Sequence, residues 1–305
     1  MPSSLATLSL AILAGTQAAA AAGCSRKVLQ QVTKAYVAAQ EAGDASLLTA
    51  LIDFSRSIHD PDRCAAFTEI IGASDPHPRV IHTRFVLDPA TAAPPSNSSL
   101  LFSTSWRRRF RPFSSLAADE DDEGSVPKAS LIESIITDEG DWLFNATGTL
   151  ELNAGEVWDE IPEAERAASP ADVQALGDAY FDRFGNESVT VPWAAEPCYR
   201  LEGGLPARGE VRDGECIMVF PSTIIVPYRR YVVDVTLGAA SLFVGFPGLD
   251  RAQGNDPMPD SHLFRVENGK IKYIHTASAC VVDGCGLNLT SSSWKRSLKS
   301  IPFRG

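Results

Sequence analysis

Residues 25–36 and 169–180 are two versions of one segment, and any fold for this chain has to accommodate it twice. The first reads Ser25-Arg-Lys-Val-Leu29-Gln30-Gln-Val32-Thr-Lys-Ala35-Tyr36. The second reads Ser169-Pro-Ala-Asp-Val173-Gln174-Ala-Leu176-Gly-Asp-Ala179-Tyr180. At a constant offset of 144, Ser, Gln, Ala and Tyr are identical, and Leu29 and Val32 meet Val173 and Leu176. Each opens on a serine in capping position, the second with proline at the first helical place. Each then carries apolar residues at helical spacing, which predicts two amphipathic helices.

Three further matches follow in order. Arg56-Ser-Ile58-His59-Asp60 resembles Arg230-Tyr-Val232-Val233-Asp234, His82-Thr-Arg-Phe-Val86 resembles His262-Leu-Phe-Arg-Val266, and Ile135-Ile136-Thr137 resembles Ile274-His275-Thr276. Their β-branched and aromatic content predicts strands. Asn268-Gly269 between the last two predicts a tight hairpin, because both residues tolerate positive φ. The first copy carries a long insert at the equivalent place, about 88–130, with a proline-serine run, Arg107-Arg108-Arg109 and Asp119-Glu120-Asp121-Asp122-Glu123. So long a loop is uncommon inside a compact domain, and its composition reads as a disordered excursion rather than a lid. The expected fold is α+β: two tandem cone-shaped repeats, each a curved antiparallel sheet packed on its N-terminal helix. The first spans 23–160 and the second 161–286, followed by a tail, 287–305.

Residues 1–22 read as a secretory signal peptide, apolar at Leu8, Leu10, Ile12 and Leu13 and closing on the alanine run Ala18–Ala22. The run is too short and too poor in bulky residues for a membrane span. Six cysteines remain, an even number suited to an oxidising compartment, and they allow 15 pairings. The pairing preferred is between neighbours in sequence: Cys24 with Cys64, Cys198 with Cys216, and Cys280 with Cys285. Each bridge then staples one repeat and none joins the two. Sequons at Asn97, Asn145, Asn186 and Asn288 fit an extracellular glycoprotein. The net charge of −11 opposes contact with nucleic acid phosphates. No nucleophile elbow, zinc-peptidase motif, P-loop or dinucleotide fingerprint occurs, so no cofactor and no metal are expected.

The runs Arg56–Asp60, Thr137–Ala146, Gly177–Tyr180, Val191-Pro-Trp193, Arg200–Gly204, Arg229–Asp234 and Pro259–Val266 together resemble a group of fungal secreted proteins. These carry an uncharacterised domain, domain of unknown function 8021. The resemblance covers nearly the whole mature chain and implies a cone fold related to nuclear transport factor 2 and to ketosteroid-isomerase-like enzymes. The chain departs from it in the first half, where the stretch 47–54 is short and the 88–130 insert is extra.

A cone of this kind has an apolar interior with a few inward polar groups. Four of the five histidines fall in the matched strands, and histidine is the natural proton carrier near neutrality. In the second half the expected catalytic set is Asp234, Asp260, His262 and His275. Asp260 and His262, two apart, share one strand face, so Asp260 would orient His262 to move a proton. The expected binding residues are His59, Asp60, His82, Asp138, Trp142 and Arg230. The function expected is a secreted, cofactor-free protein that isomerises, dehydrates or hydrates a small apolar ligand, with no membrane contact after signal cleavage. The alternative is a non-catalytic, effector-like secreted protein that binds or interacts.

Overall fold

Ser25 starts the first helix as its position predicts: its hydroxyl accepts from the Val28 amide at 3.3 Å. The computed structural model describes residues 24–42, 51–89, 128–167, 169–220, 224–247 and 257–281. The expected leader, most of the insert, Asn97, Asn288, Cys285 and the tail lie outside the described residues. Helix α1 (Arg26–Ala42) is followed by strands β1 (Phe54–Asp60), β2 (Ala65–Gly72), β3 (Arg79–Leu87) and β4 (Ala129–Thr137), an antiparallel sheet in chain order. Helices α2 (Ala146–Ala154) and α3 (Pro170–Gly185) come next, the latter capped by Ser169. Strands β5 (Tyr199–Glu202) and β6 (Leu205–Arg208) join β9 (Arg230–Asp234), β10 (Ala239–Pro247), β11 (Pro257–Glu267) and β12 (Lys270–Ser278) in a second sheet ordered β6-β5-β12-β11-β10-β9. A separate hairpin pairs β7 (Glu210–Arg212) with β8 (Glu215–Ile217). The molecule is thus α+β.

Period-two patterning sorts these strands into layers. Helix α1 lies on the outer face of the first sheet, where Leu29 meets Ala66, Phe85 and Leu87. The inner faces of the two sheets meet through Ile58, Ala65, Phe67 and Ile135 on one side and Val232, Ala239, Phe243, Leu263 and Ala277 on the other. Helix α3 covers the outer face of the second sheet, with Val173, Tyr180, Phe181 and Phe184 against Leu242, Val244, Phe246 and Phe264. Gly177 permits this approach, since a Cβ there would stand 2.9 Å from Leu242 Cδ1. Fully buried Phe67 and Phe243 each contribute about 1.5–3 kcal/mol through the apolar surface they remove from water.

The expected hairpin is present: Asn268 and Gly269 turn at φ 51° and 68° between β11 and β12. The insert leaves and rejoins the first sheet at adjacent points, where the Asp88 amide bonds to the Lys128 carbonyl at 2.9 Å. Cys24–Cys64 and Cys198–Cys216 are bridged as expected, each within one half. Cys280 is disulfide-bonded as well, and its expected partner Cys285 is outside the described residues.

Strand register corrects one sequence match. Asp60 faces Ala65 as Asp234 faces Ala239, and these alanines face Val86 and Arg265. Carried along the strands, this register sets Phe85 level with Phe264, Thr83 with His262, and His82 with Ser261. His82 and His262, matched in sequence, therefore sit on opposite faces of their sheets. A slip of one residue in a strand is enough to reverse the face.

Helix α2 is seated on the turn Gly203–Gly204. Asn145 caps it by accepting from the Gly148 amide at 3.0 Å. A Cβ on Gly204, whose φ is +104°, would lie 2.0 Å from the Asn145 carbonyl oxygen. Gly204→Ala is therefore expected to lower unfolding stability by about 1–3 kcal/mol. Urea denaturation with an unchanged midpoint would contradict this seating.

Candidate ligand site

Asp260 and His262 alternate on β11 so that both face α3, and His262 Nδ1 stands 2.6 Å from Asp260 Oδ1. The other carboxylate oxygen accepts from Ser278 Oγ, on β12, at 2.7 Å. A carboxylate only accepts, so the proton of this contact is on Nδ1 and the other ring nitrogen, Nε2, takes no part in it. His262 Nε2 has no hydrogen-bond partner among the described residues, and it is not among the atoms sealed from solvent. The ring is walled by Phe181 at 4.8 Å, Tyr180 at 5.4 Å, Phe264 at 5.9 Å and Phe246 at 6.4 Å between centroids.

Tyr180 stands in the middle of this cluster of rings and is 1% exposed. Burial pushes its phenol well above the ordinary value, helped by Glu202 and Asp260 and opposed by Arg200. The phenol therefore keeps its proton through the neutral range. Arg200, paired through Nε with Glu202, stands beside that hydroxyl. A guanidinium only donates, so the phenol accepts from it and retains its own O–H to donate elsewhere. His262 Nε2 and the Tyr180 hydroxyl proton are thus the two polar functions of this aromatic cluster without a partner among the described residues.

Asp234 and His275, expected in the same set, are elsewhere. Both lie on the inner face of the second sheet, because their positions have the opposite parity to His262 in the strand ladder. His275 is clasped between two carboxylates: Nδ1 is 3.0 Å from Glu69 Oε1, and Nε2 is 2.7 Å from Glu156 Oε2. Burial opposes its charge, but Glu156 and Glu69 outweigh it and raise its pKa to about 9. Burial likewise disfavours the Glu69 and Glu156 carboxylates. The His275 imidazolium, with His82 and Arg56 on Glu69 and with Trp158 and Tyr199 on Glu156, holds both below the usual range. Asp234 takes both guanidinium nitrogens of Arg26, at 2.7 and 2.8 Å, and the His59 amide at 2.9 Å. Asp60 answers it by accepting the Val233 amide, also at 2.9 Å.

The expected binding residues do not form one site either. Asp60 and His82 belong to the layer between the sheets, with His82 Nδ1 3.1 Å from Ser261 Oγ. His59, on the other face of β1, is 3.2 Å from the Thr33 hydroxyl under α1. Asp138 is exposed in the turn after β4, and Trp142 is buried near Gly203. Arg230 pairs with Glu133 of β4. Among the sequons, the Asn145 amide is engaged on both sides, accepting from the Gly148 amide and donating to the Gly204 carbonyl. Asn186 is exposed. Among the described residues no group of three or more His, Cys, Asp or Glu is placed to hold a metal, and no helix is long and apolar enough to cross a membrane.

Residues 166–278 match the family model of a domain of unknown function, DUF8021. The match takes in α3 and all of the second sheet, and so the whole aromatic cluster, but less than half of the chain. No curated protein and no solved structure matches. Sequence reasoning missed Arg200, Glu202 and Ser278 at the aromatic cluster and Glu69 and Glu156 between the sheets. Tyr180 was visible as a repeat identity, but not as a site residue.

Two of the buried imidazoles, His275 and His59, give stability a defined pH dependence. His275 titrates at about 9 in the fold against 6.5 unperturbed. Its contribution is complete below pH 6.5 and is lost as pH rises through 9. His59 is lowered to about 4, by burial first and Arg26 second, against Asp234. Its contribution is complete above pH 6.5 and is lost as pH falls through 4. Melting temperature is expected to peak near pH 6.5 and fall on both sides, and His275→Gln should flatten the alkaline limb while lowering the peak. An alkaline limb unchanged by His275→Gln would refute the assignment.

Proposed function

We propose that the mature chain works outside the cell, as two tandem cone repeats of the nuclear transport factor 2-like kind, and that the second cone binds a small apolar molecule. Secretion is supported by the signal-like leader and by the disulfides within each half. The duplication is supported by matching contacts: Tyr36 meets Phe85 edge-on at 4.9 Å, and Tyr180 meets Phe264 edge-on at 5.3 Å.

One observation carries the ligand reading. An aromatic cluster holds a buried, oriented Asp–His pair whose Nε2 meets no donor among the described residues, beside a phenol with a proton to give. His262 Nε2 is not sealed from solvent and the Tyr180 hydroxyl, which accepts from Arg200, still has its own proton, so both can meet a ligand. A ligand with an apolar body and a carbonyl or hydroxyl satisfies both. In the catalytic form of the reading, His262 Nε2 removes a proton next to a carbonyl while the Tyr180 hydroxyl donates to the carbonyl oxygen. Asp260 then stabilises the imidazolium, and returning the proton to a different carbon completes an isomerisation, whereas loss of a β-hydroxyl as water completes a dehydration. The non-catalytic alternative is favoured by the dense aromatic filling around Tyr180, with Phe184, Trp193 and Phe220 all in ring contact.

Native mass spectrometry of protein collected from culture medium tests binding. A retained small molecule is expected in the wild type and its loss in His262→Ala, while a wild type carrying nothing contradicts the reading. Exchange of the methyl protons of 2-acetylnaphthalene in heavy water tests chemistry. His262→Gln is expected to slow it by about 100-fold or more, and a rate in the wild type equal to buffer leaves only the binding form.

A further inference from the structure

We infer that Asn186 bears an N-linked glycan, and that of the two sequons within the described residues it is the one the secreted protein carries. The inference rests on the secretion reading above and goes beyond it. The sequon Asn186-Glu187-Ser188 directly follows α3, and all three of its residues are exposed. Among the described residues the rest of the fold uses only the backbone of Asn186. Its N–H closes the helix on the Asp182 carbonyl at 2.9 Å, and its carbonyl accepts from the Val189 amide at 3.1 Å. Its side-chain oxygen turns back onto its own sequon, accepting from the Ser188 hydroxyl at 2.7 Å and the Ser188 amide at 3.0 Å, an Asx turn. Nδ2, the atom that bears a sugar, has no acceptor among the described residues.

The sequon Asn145-Ala146-Thr147 is placed differently. The Asn145 side chain seats α2: Oδ1 accepts from the Gly148 amide at 3.0 Å, and Nδ2 donates to the Gly204 carbonyl at 3.4 Å. Nδ2 is also crowded, since a Cβ on Gly148 would overlap it. Ala146, the middle residue, is buried. A glycan is bulky and hydrated and belongs at the surface. It is attached to the chain before folding, so the fold must accept what is already there. A chain modified at Asn186 completes α3 and the following turn without losing a bond. A chain modified at Asn145 has to seat α2 with the sugar on the atom that meets Gly204.

The co-reactant is a lipid-diphosphate oligosaccharide, and the catalyst is a membrane transferase of the secretory lumen. Asn186 Nδ2 forms a bond to C1 of the first sugar as the C1–O bond to the diphosphate breaks. The lipid diphosphate leaves with the bonding electrons. One amide proton passes to a base of the transferase, and the other stays on Nδ2.

Peptide mapping of the full chain, expressed in a eukaryotic host and collected from the medium, tests this. Enzymatic release of N-glycans in heavy-oxygen water turns a glycosylated asparagine into a labelled aspartate, which tryptic mapping locates. The label is expected in the peptide Phe184–Arg200 and not at Asn145. Ser188→Ala keeps the asparagine, removes the hydroxyl that makes the sequon, and is expected to lose the label. Secreted protein with Asn186 unlabelled overturns the inference while secretion stands. Label at Asn145 overturns it too, as does label at Asn186 that survives Ser188→Ala. Absence of the protein from the medium overturns the secretion reading and the inference together.

Discussion

Glu69 is the charge on which the two-sheet arrangement depends. It sits at 0% exposure on the inner face of the first sheet, where an unpaired carboxylate would be intolerable. Its partners come from three parts of the chain: Arg56 and His82 on the strands to either side, and His275 on the opposing sheet. Glu156, from the segment after α2, closes the far side of His275. Removing one member of such a cluster strands the others, at a cost of about 3–5 kcal/mol. The cluster fixes which faces of the two sheets meet, and Asp60 and Asp234, each bound to the other sheet's backbone, fix their alignment.

With one face of each sheet committed to that layer, the opposite faces are left to the helices, and there the halves diverge. In the first half the Tyr36 hydroxyl bonds to Thr83 at 2.8 Å, and Thr83 to Ser134 at 2.9 Å. That chain of hydroxyls is closed on itself. At the level of Thr83 the second half has His262, oriented by Asp260 and left with an open nitrogen. The first half thus carries a closed chain of hydroxyls at this level and the second an oriented Asp–His pair, the difference on which the proposed ligand reading rests.

Much of the fold was legible because its signals are local. Serine caps, helical spacing, the Asn268-Gly269 turn and the short-range disulfides depend on neighbours in sequence. The pairing of Asp260 with His262 was legible for the same reason, since two residues apart on a strand means one face. The errors were errors of parity and of distance. Matching His82 to His262 slipped the register by one residue, and placing Asp234 and His275 with His262 ignored the opposite face they occupy. Glu156, in a segment without regular structure, and Arg200, on a short strand far from α3, carry no local sign of the groups they meet.

Nitrogen-15 spectroscopy of the histidine rings tests the central claim, that ligands bind on the helix-covered face of the second sheet and not between the sheets. The account predicts a His262 ring protonated on Nδ1 whose Nε2 resonance moves when 2-acetylnaphthalene is added, while His275 stays a fixed imidazolium at neutral pH. A ligand-induced shift at His275 with His262 unmoved would contradict it.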